Sequence, residues 1–254
     1  MKRLAAGLPI LLSLVFLSNS GILAQSPRIK DKNSIGWFNY FGTIKLNTKW
    51  SIHTEYQWRR EGIVKDWQQS LLRTGLNYQL NNDVQFRLGY AWAETFSYGD
   101  IPINSFGKTF TEHRTYQMAT ISDKIGKFAL SHRFMLEQRW IGRYTSINDT
   151  KDDDFVFMNR MRYMFRAQIP LTNNALRPLY AAAYDEILIG FGKNVGENVF
   201  DQNRIGLLIG KAINNYFRIE AGYLNQIVQL GREVNSQNVF QYNSGVIVNT
   251  YFNF

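Results

Sequence analysis

The chain has 254 residues, with 29 Lys and Arg against 20 Asp and Glu, and a formal net charge of +9. It contains no cysteine, which excludes a disulfide scaffold, a thiolate metal site and a cysteine nucleophile, and 3 histidines give little material for a His-rich metal centre. The 18 Phe, 14 Tyr and 6 Trp set against only 5 Pro suit strands whose outer faces need aromatic anchors.

Residues 1–24 read as a secretory signal peptide. Lys2 and Arg3 precede the apolar run Leu4–Leu17, and small and polar residues lead to Ala24, the expected cleavage point. The apolar run falls short of the roughly 20 residues of a membrane-spanning helix. Residues 25–254 then form one domain, because no linker or change of composition divides them.

From Trp37 onward the dominant pattern is alternation. In the strand near 50, Trp50, Ile52, Thr54, Tyr56 and Trp58 lie on one face, and Ser51, His53, Glu55, Gln57 and Arg59 on the other. The segment near 84 places Val84, Phe86, Leu88, Tyr90 and Trp92 opposite Gln85, Arg87, Gly89, Ala91 and Ala93. Near 127, Phe128, Leu130, Phe134, Leu136 and Trp140 oppose Lys127, Ser131, Arg133, Glu137 and Arg139. Near 155, Phe155, Phe157, Met161, Tyr163 and Phe165 oppose Met158, Arg160, Arg162, Met164 and Arg166. Further candidates begin near 37, 68, 111, 179, 201, 216 and 238. Those near 111, 179 and 201 break parity, which predicts bulges.

A β-sandwich and a membrane barrel both fit alternation. Strands of about 10 residues match the reach of a tilted transmembrane strand. Large aromatics gather at strand ends, Trp50, Tyr78, Phe128 and Phe217 beside short turns and Trp58, Trp92, Phe96 and Trp140 beside long loops, as two interfacial girdles would. The polar face carries Arg, Glu and Gln with small residues, which suits a narrow lumen. The expected fold is therefore all-β, an antiparallel transmembrane β-barrel. Tight turns near 47–49, 81–83, 122–126 and 213–215 and a longer one at 171–178 alternate with loops near 60–66, 97–110, 141–154, 192–200 and 228–237. Even strand numbers are usual for bacterial barrels, so the count is expected at roughly ten to twelve, with twelve favoured through a weak strand in Ser26–Ile35.

The chain ends on an alternating strand, Val246, Val248, Thr250, Phe252 and Phe254 sharing one face. Phe252 and the terminal Phe254 resemble the C-terminal signal read by the outer-membrane assembly machinery. Short fragments across the mature chain carry a second resemblance: Gly89-Tyr90-Ala91, Glu112-His113-Arg114, His132-Arg133, Glu137-Gln138-Arg139, Asn159-Arg160-Met161-Arg162, Tyr184-Asp185-Glu186, Gln202-Asn203-Arg204 and Gly222-Tyr223-Leu224-Asn225-Gln226. They are similar to a family of uncharacterised bacterial outer-membrane β-barrels of about 250 residues, catalogued as a domain of unknown function. The resemblance implies the outer membrane of a Gram-negative bacterium and supplies no catalytic residues.

Parity sends Arg73, Arg87, Arg133, Arg139, Arg160, Arg162, Arg166, Arg204 and Arg218 inward with Glu55, Glu137 and Glu220, and Glu112, Asp185 and Glu186 are expected to join them. An Arg facing lipid at mid-membrane costs ~2–4 kcal/mol. Such a lumen is a structural filling or an anion-preferring pore or ligand site. No catalytic site is expected. Ser131 and His132 are adjacent and face opposite ways, and neither His53 nor His113 has a Ser two residues on. The oxygen-rich loop with Asn148, Asp149 and Asp152–Asp154 matches no defined calcium loop, so neither a metal nor a cofactor is expected. The arginines alternate along strands and form no exposed basic stripe, so nucleic acid is not an expected partner. The expected partners are outer-membrane lipids, the barrel assembly machinery and small anionic solutes. The reading is a barrel of unknown specific activity that serves as a passive small-solute channel. The alternatives are a structural or surface-binding barrel and, behind it, a lipid-modifying enzyme.

Overall fold

The computed structural model describes residues 28–174, 177–196 and 198–254. The expected signal peptide lies outside the described residues. Eleven strands close into one barrel: β1 (Ile29–Lys45), β2 (Trp50–Glu61), β3 (Asp66–Gln79), β4 (Val84–Thr95), β5 (Phe110–Ile125), β6 (Phe128–Arg143), β7 (Asp154–Pro170), β8 (Leu179–Phe191), β9 (Phe200–Ala212), β10 (Phe217–Val234) and β11 (Gln237–Asn253). Each strand pairs antiparallel with its sequence neighbours, and β1 closes the barrel on β11 in parallel register, from Ile29 beside Val239 to Thr43 beside Asn253.

Parallel closure corrects the strand count. Even numbers follow when the first and last strands meet antiparallel; a parallel closing pair requires an odd number. Most of the segment expected to hide a twelfth strand, 29–35, is the first half of β1. The seam is clipped by amide pairs at matching register positions. Asn33 donates to Asn243 at 3.0 Å and Asn39 to Asn249 at 2.8 Å, the geometry in which stacked Asn side chains satisfy one another.

Two more expectations change. The segment 228–237 is no loop: β10 and β11 continue to a two-residue turn at Asn235 and Ser236, both at positive φ as a type I′ hairpin demands. β5 alternates regularly and carries no register shift in its pairings. Its outer face is polar, with His113, Thr115 and Gln117, while Tyr116 and Met118 point inward, which inverts the usual parity signal. Register shifts occur at Arg59/Arg60, Leu188/Ile189 and Gln229/Glu233.

Aromatic residues form two bands on the outer face. At the short-turn end Trp50 meets Tyr78 at 4.7 Å and Phe217 meets Phe252 at 4.8 Å. At the other end Trp67 meets Trp58 edge to face and stacks on Phe96, and Trp140 packs on Phe157. Between the bands the outer face exposes apolar side chains, among them Leu72, Leu88, Leu207 and Ile209.

Candidate functional site

The interior falls into three levels. At the short-turn end, Glu220 is fully buried and accepts hydrogen bonds from Arg166 (2.6 Å), Tyr180 (2.8 Å) and Tyr251 (2.9 Å). Above it lies an apolar cluster of Ile35, Trp37, Tyr180, Ala182, Leu208, Leu224 and Ile247, with Tyr184 against it. This corrects the expectation of a polar lumen throughout: Ala182 of β8, Leu208 of β9, Leu224 of β10 and Ile247 of β11 face inward among the polar residues of those strands. Tyr184 and Tyr180 lie flat over their cross-strand partners Gly206 and Gly210. A Cβ at either glycine would collide with the ring, so glycine is what admits the tyrosines.

The middle level is a continuous ionic network across β5–β9. Glu137 binds Arg160 (2.6 Å) and Arg162 (2.9 Å), and Arg162 binds Glu186 (2.7 Å), which also holds Arg133 (2.8 Å) and Arg204 (3.3 Å). Asp201 connects Arg160 (2.6 Å) to Arg139 (3.9 Å), and Glu112 holds Arg139 and Arg114. A smaller group on β2 and β3 joins Glu55 to Arg73 (2.7 Å) and His53 (2.9 Å). Paired guanidinium and carboxylate groups of this kind fill space as well as satisfying charge.

The third level is a chamber of about 450 Å³ at the loop end. Arg59, Arg114, Arg139, Arg160, Arg204, Glu112 and Asp201 contribute its charged lining, and Phe106, Phe110, Ile103, Val195 and Leu230 its apolar lining. It is roofed by residues 96–109, the β4–β5 connection, expected to be a loop outside the barrel. That segment instead crosses the mouth. Tyr98 turns inward, 4% exposed, and accepts from Asn243 (3.2 Å). Gly99 N donates to Glu61 and Ile101 N to Asp31, while Gln241 donates to the Ile101 carbonyl (2.9 Å) and Arg232 to the Pro102 carbonyl (2.7 Å). Gly99 has φ +74°, and a side chain there would strike Asp31 and Asn33. Tyr144 and Lys108 tie the same segment to the β6–β7 loop.

Arg59 is distinctive. Its Nε donates to Gln57 (2.9 Å) and one terminal nitrogen to Gln69 (2.7 Å), and its guanidinium lies 3.8 Å from the centre of the Trp37 ring. Among the described residues no carboxylate forms an ion pair with it. Arg204 lies over the same indole at 5.1 Å.

Fourteen of the fifteen charged side chains expected in the lumen point into it. Arg87 meets Asn77 there, and Arg218 lies over Tyr251 with its Nε unpartnered. Asp185 points the other way: it is exposed on the outer face and accepts from Asn203 at 2.6 Å, while its neighbour Glu186 is buried. Arg114, Asp201, Trp37 and Tyr98 belong to the interior and were not anticipated. Arg114 is masked by the polar outer face of β5, and Asp201 sits beside the β8–β9 register shift; Tyr98 lies in a loop, where alternation says nothing. Phe252 lies between Tyr40, Phe217 and Phe254 on the outer face, and Phe254 is exposed at the short-turn end, bonded through its backbone to Thr43 and Lys45.

The loop carboxylates are occupied by backbone. Asp149 accepts the N–H groups of Ser146 and Thr145 and the Thr145 hydroxyl, and these hold its carboxyl below the usual value. Asp152 accepts from Thr111 N at the start of β5. Among the described residues no three His, Asp or Glu side chains are grouped to hold a metal ion.

Comparison with curated proteins returned no match. A family model described as a protein of unknown function (DUF2490) matches residues 35–237, which spans most of β1 through β10 and therefore every level of the interior. The chain belongs to this DUF2490 family of proteins of unknown function.

Proposed function

We propose that the protein is an outer-membrane barrel of a Gram-negative bacterium, sealed along its axis by its own side chains, that acts at its loop end as a binding surface. This favours the surface-binding alternative over the passive channel. The observation that carries it is that the Glu220 group, the apolar cluster around Trp37 and the Arg160–Glu137–Arg162–Glu186 network are all buried inside the barrel and contact one another, Tyr180 joining the first two and Arg204 lying over Trp37. A conducting pore would need a continuous wet path, and these layers occupy it. Membrane insertion is supported by the apolar outer face between two aromatic bands and by strands of 12 to 18 residues.

Cell fractionation tests the location. The protein should sediment with outer membranes and should migrate differently on a gel when unheated than when boiled, because a closed barrel resists detergent. Recovery in the soluble periplasmic fraction would overturn the proposal.

A further inference from the structure

We infer that the chamber beneath the 96–109 segment is a binding site for a small organic anion with a compact apolar body. The inference rests on the sealed-barrel reading and names the ligand class of that site.

Charge comes first. Arg59 and Arg204 share the Trp37 indole, and Arg59 has only amide oxygens and an aromatic face as partners. Both arginines are more than nine-tenths buried. Like charges held together away from water are costly unless an anion completes the group. Gln57 and Gln69 hold the guanidinium at the chamber wall without supplying a counter-charge. Elsewhere in the lining the Arg232 Nε is buried without a partner, and so is the side-chain amide oxygen of Asn198, one more donor and one acceptor.

Shape gives the rest. A volume of about 450 Å³ falls within the ordinary range of small-molecule sites and far exceeds an inorganic anion. Phe106, Phe110, Val195 and Leu230 supply an apolar half that a bare phosphate would leave unused. Exposed Ser105, Arg143, Asn194 and Gly231 border the chamber, so entry is from the aqueous side of the loop end. The ligand is therefore water-borne and amphipathic, with a phosphate, sulfonate or carboxylate head against Arg59 and an aromatic or short aliphatic body under Phe106.

Calorimetry on the full chain in zwitterionic lipid nanodiscs tests this with three probes: 1-naphthyl phosphate, inorganic phosphate and 1-naphthol. 1-Naphthyl phosphate should bind at least about tenfold more tightly than either fragment. Arg59→Gln should weaken 1-naphthyl phosphate by about tenfold and leave 1-naphthol unchanged. Phe106→Ala lies in the roof, outside the wall, and should weaken 1-naphthyl phosphate while sparing inorganic phosphate. Repeating the titration with phosphatidylglycerol in the disc should leave affinity unchanged; loss of binding there would overturn the aqueous source. Absence of 1-naphthyl phosphate binding, or equal affinity for inorganic phosphate, would overturn the inference. Ionic current through the same protein in a planar bilayer would instead count against the sealed barrel, so the two failures are separable.

Discussion

Replacing Glu137 with Gln removes the charge at the centre of the middle network while keeping volume and one acceptor oxygen. Glu137 is 0% exposed and accepts from Arg160 Nε at 2.7 Å, from a second Arg160 nitrogen at 2.6 Å and from Arg162 at 2.9 Å. Removing one partner of a buried ion pair costs roughly 3–5 kcal/mol, and the retained oxygen places this variant near 3 kcal/mol. With a urea slope of about 3 kcal/mol per M, the unfolding midpoint should fall by about 1 M. Tryptophan fluorescence of the barrel in lipid vesicles reads that midpoint. Asp153→Asn, an exposed loop change, is the control and should move it by no more than ~0.2 M. Equal midpoints for the two variants would refute the view that Glu137 holds two arginines in a dry interior.

Two further outcomes follow from face and closure. Fluorophores on cysteines at Leu88, Leu130, Leu136 and Tyr163 should be quenched by a lipid-phase quencher, while those at Arg87, Ser131 and Glu137 should not; equal quenching would mean the wall is not in lipid as proposed. Because β1 runs parallel to β11, its first residue lies at the loop end and Phe254 at the turn end. An epitope placed ahead of Arg28 should then be reached by antibody on intact cells together with one in 144–153. Access to the 144–153 epitope alone would contradict parallel closure.

Much of the wall was legible because a strand side chain has only two choices and membrane-like patterning separates them sharply. Trp50 to Arg59 and Phe155 to Arg166 sort by parity without ambiguity, and the observed strand starts at 50 and 84 match those read from alternation. The remainder depends on contacts between distant segments. Whether β1 meets β11 parallel is decided by pairing across the whole chain, and Asn33 with Asn243 is invisible as a local pattern. Residues 96–109 show only turn-forming composition, yet their destination is set by Asp31, Gln241 and Arg232. The charge of the chamber was half legible. Arg59 sits on the polar parity of its strand, but its lack of a carboxylate partner emerges only from the packing around Trp37.

The central claim is that the barrel is closed along its axis, and planar-bilayer recording tests it most directly. The refolded protein should give no stepwise current, and Arg160→Ser with Arg162→Ser, which opens the middle level, should give at most small anion-preferring steps, because Trp37 and the Glu220 group still obstruct the path. A large, steady, cation-selective conductance from the unmodified protein would contradict the account.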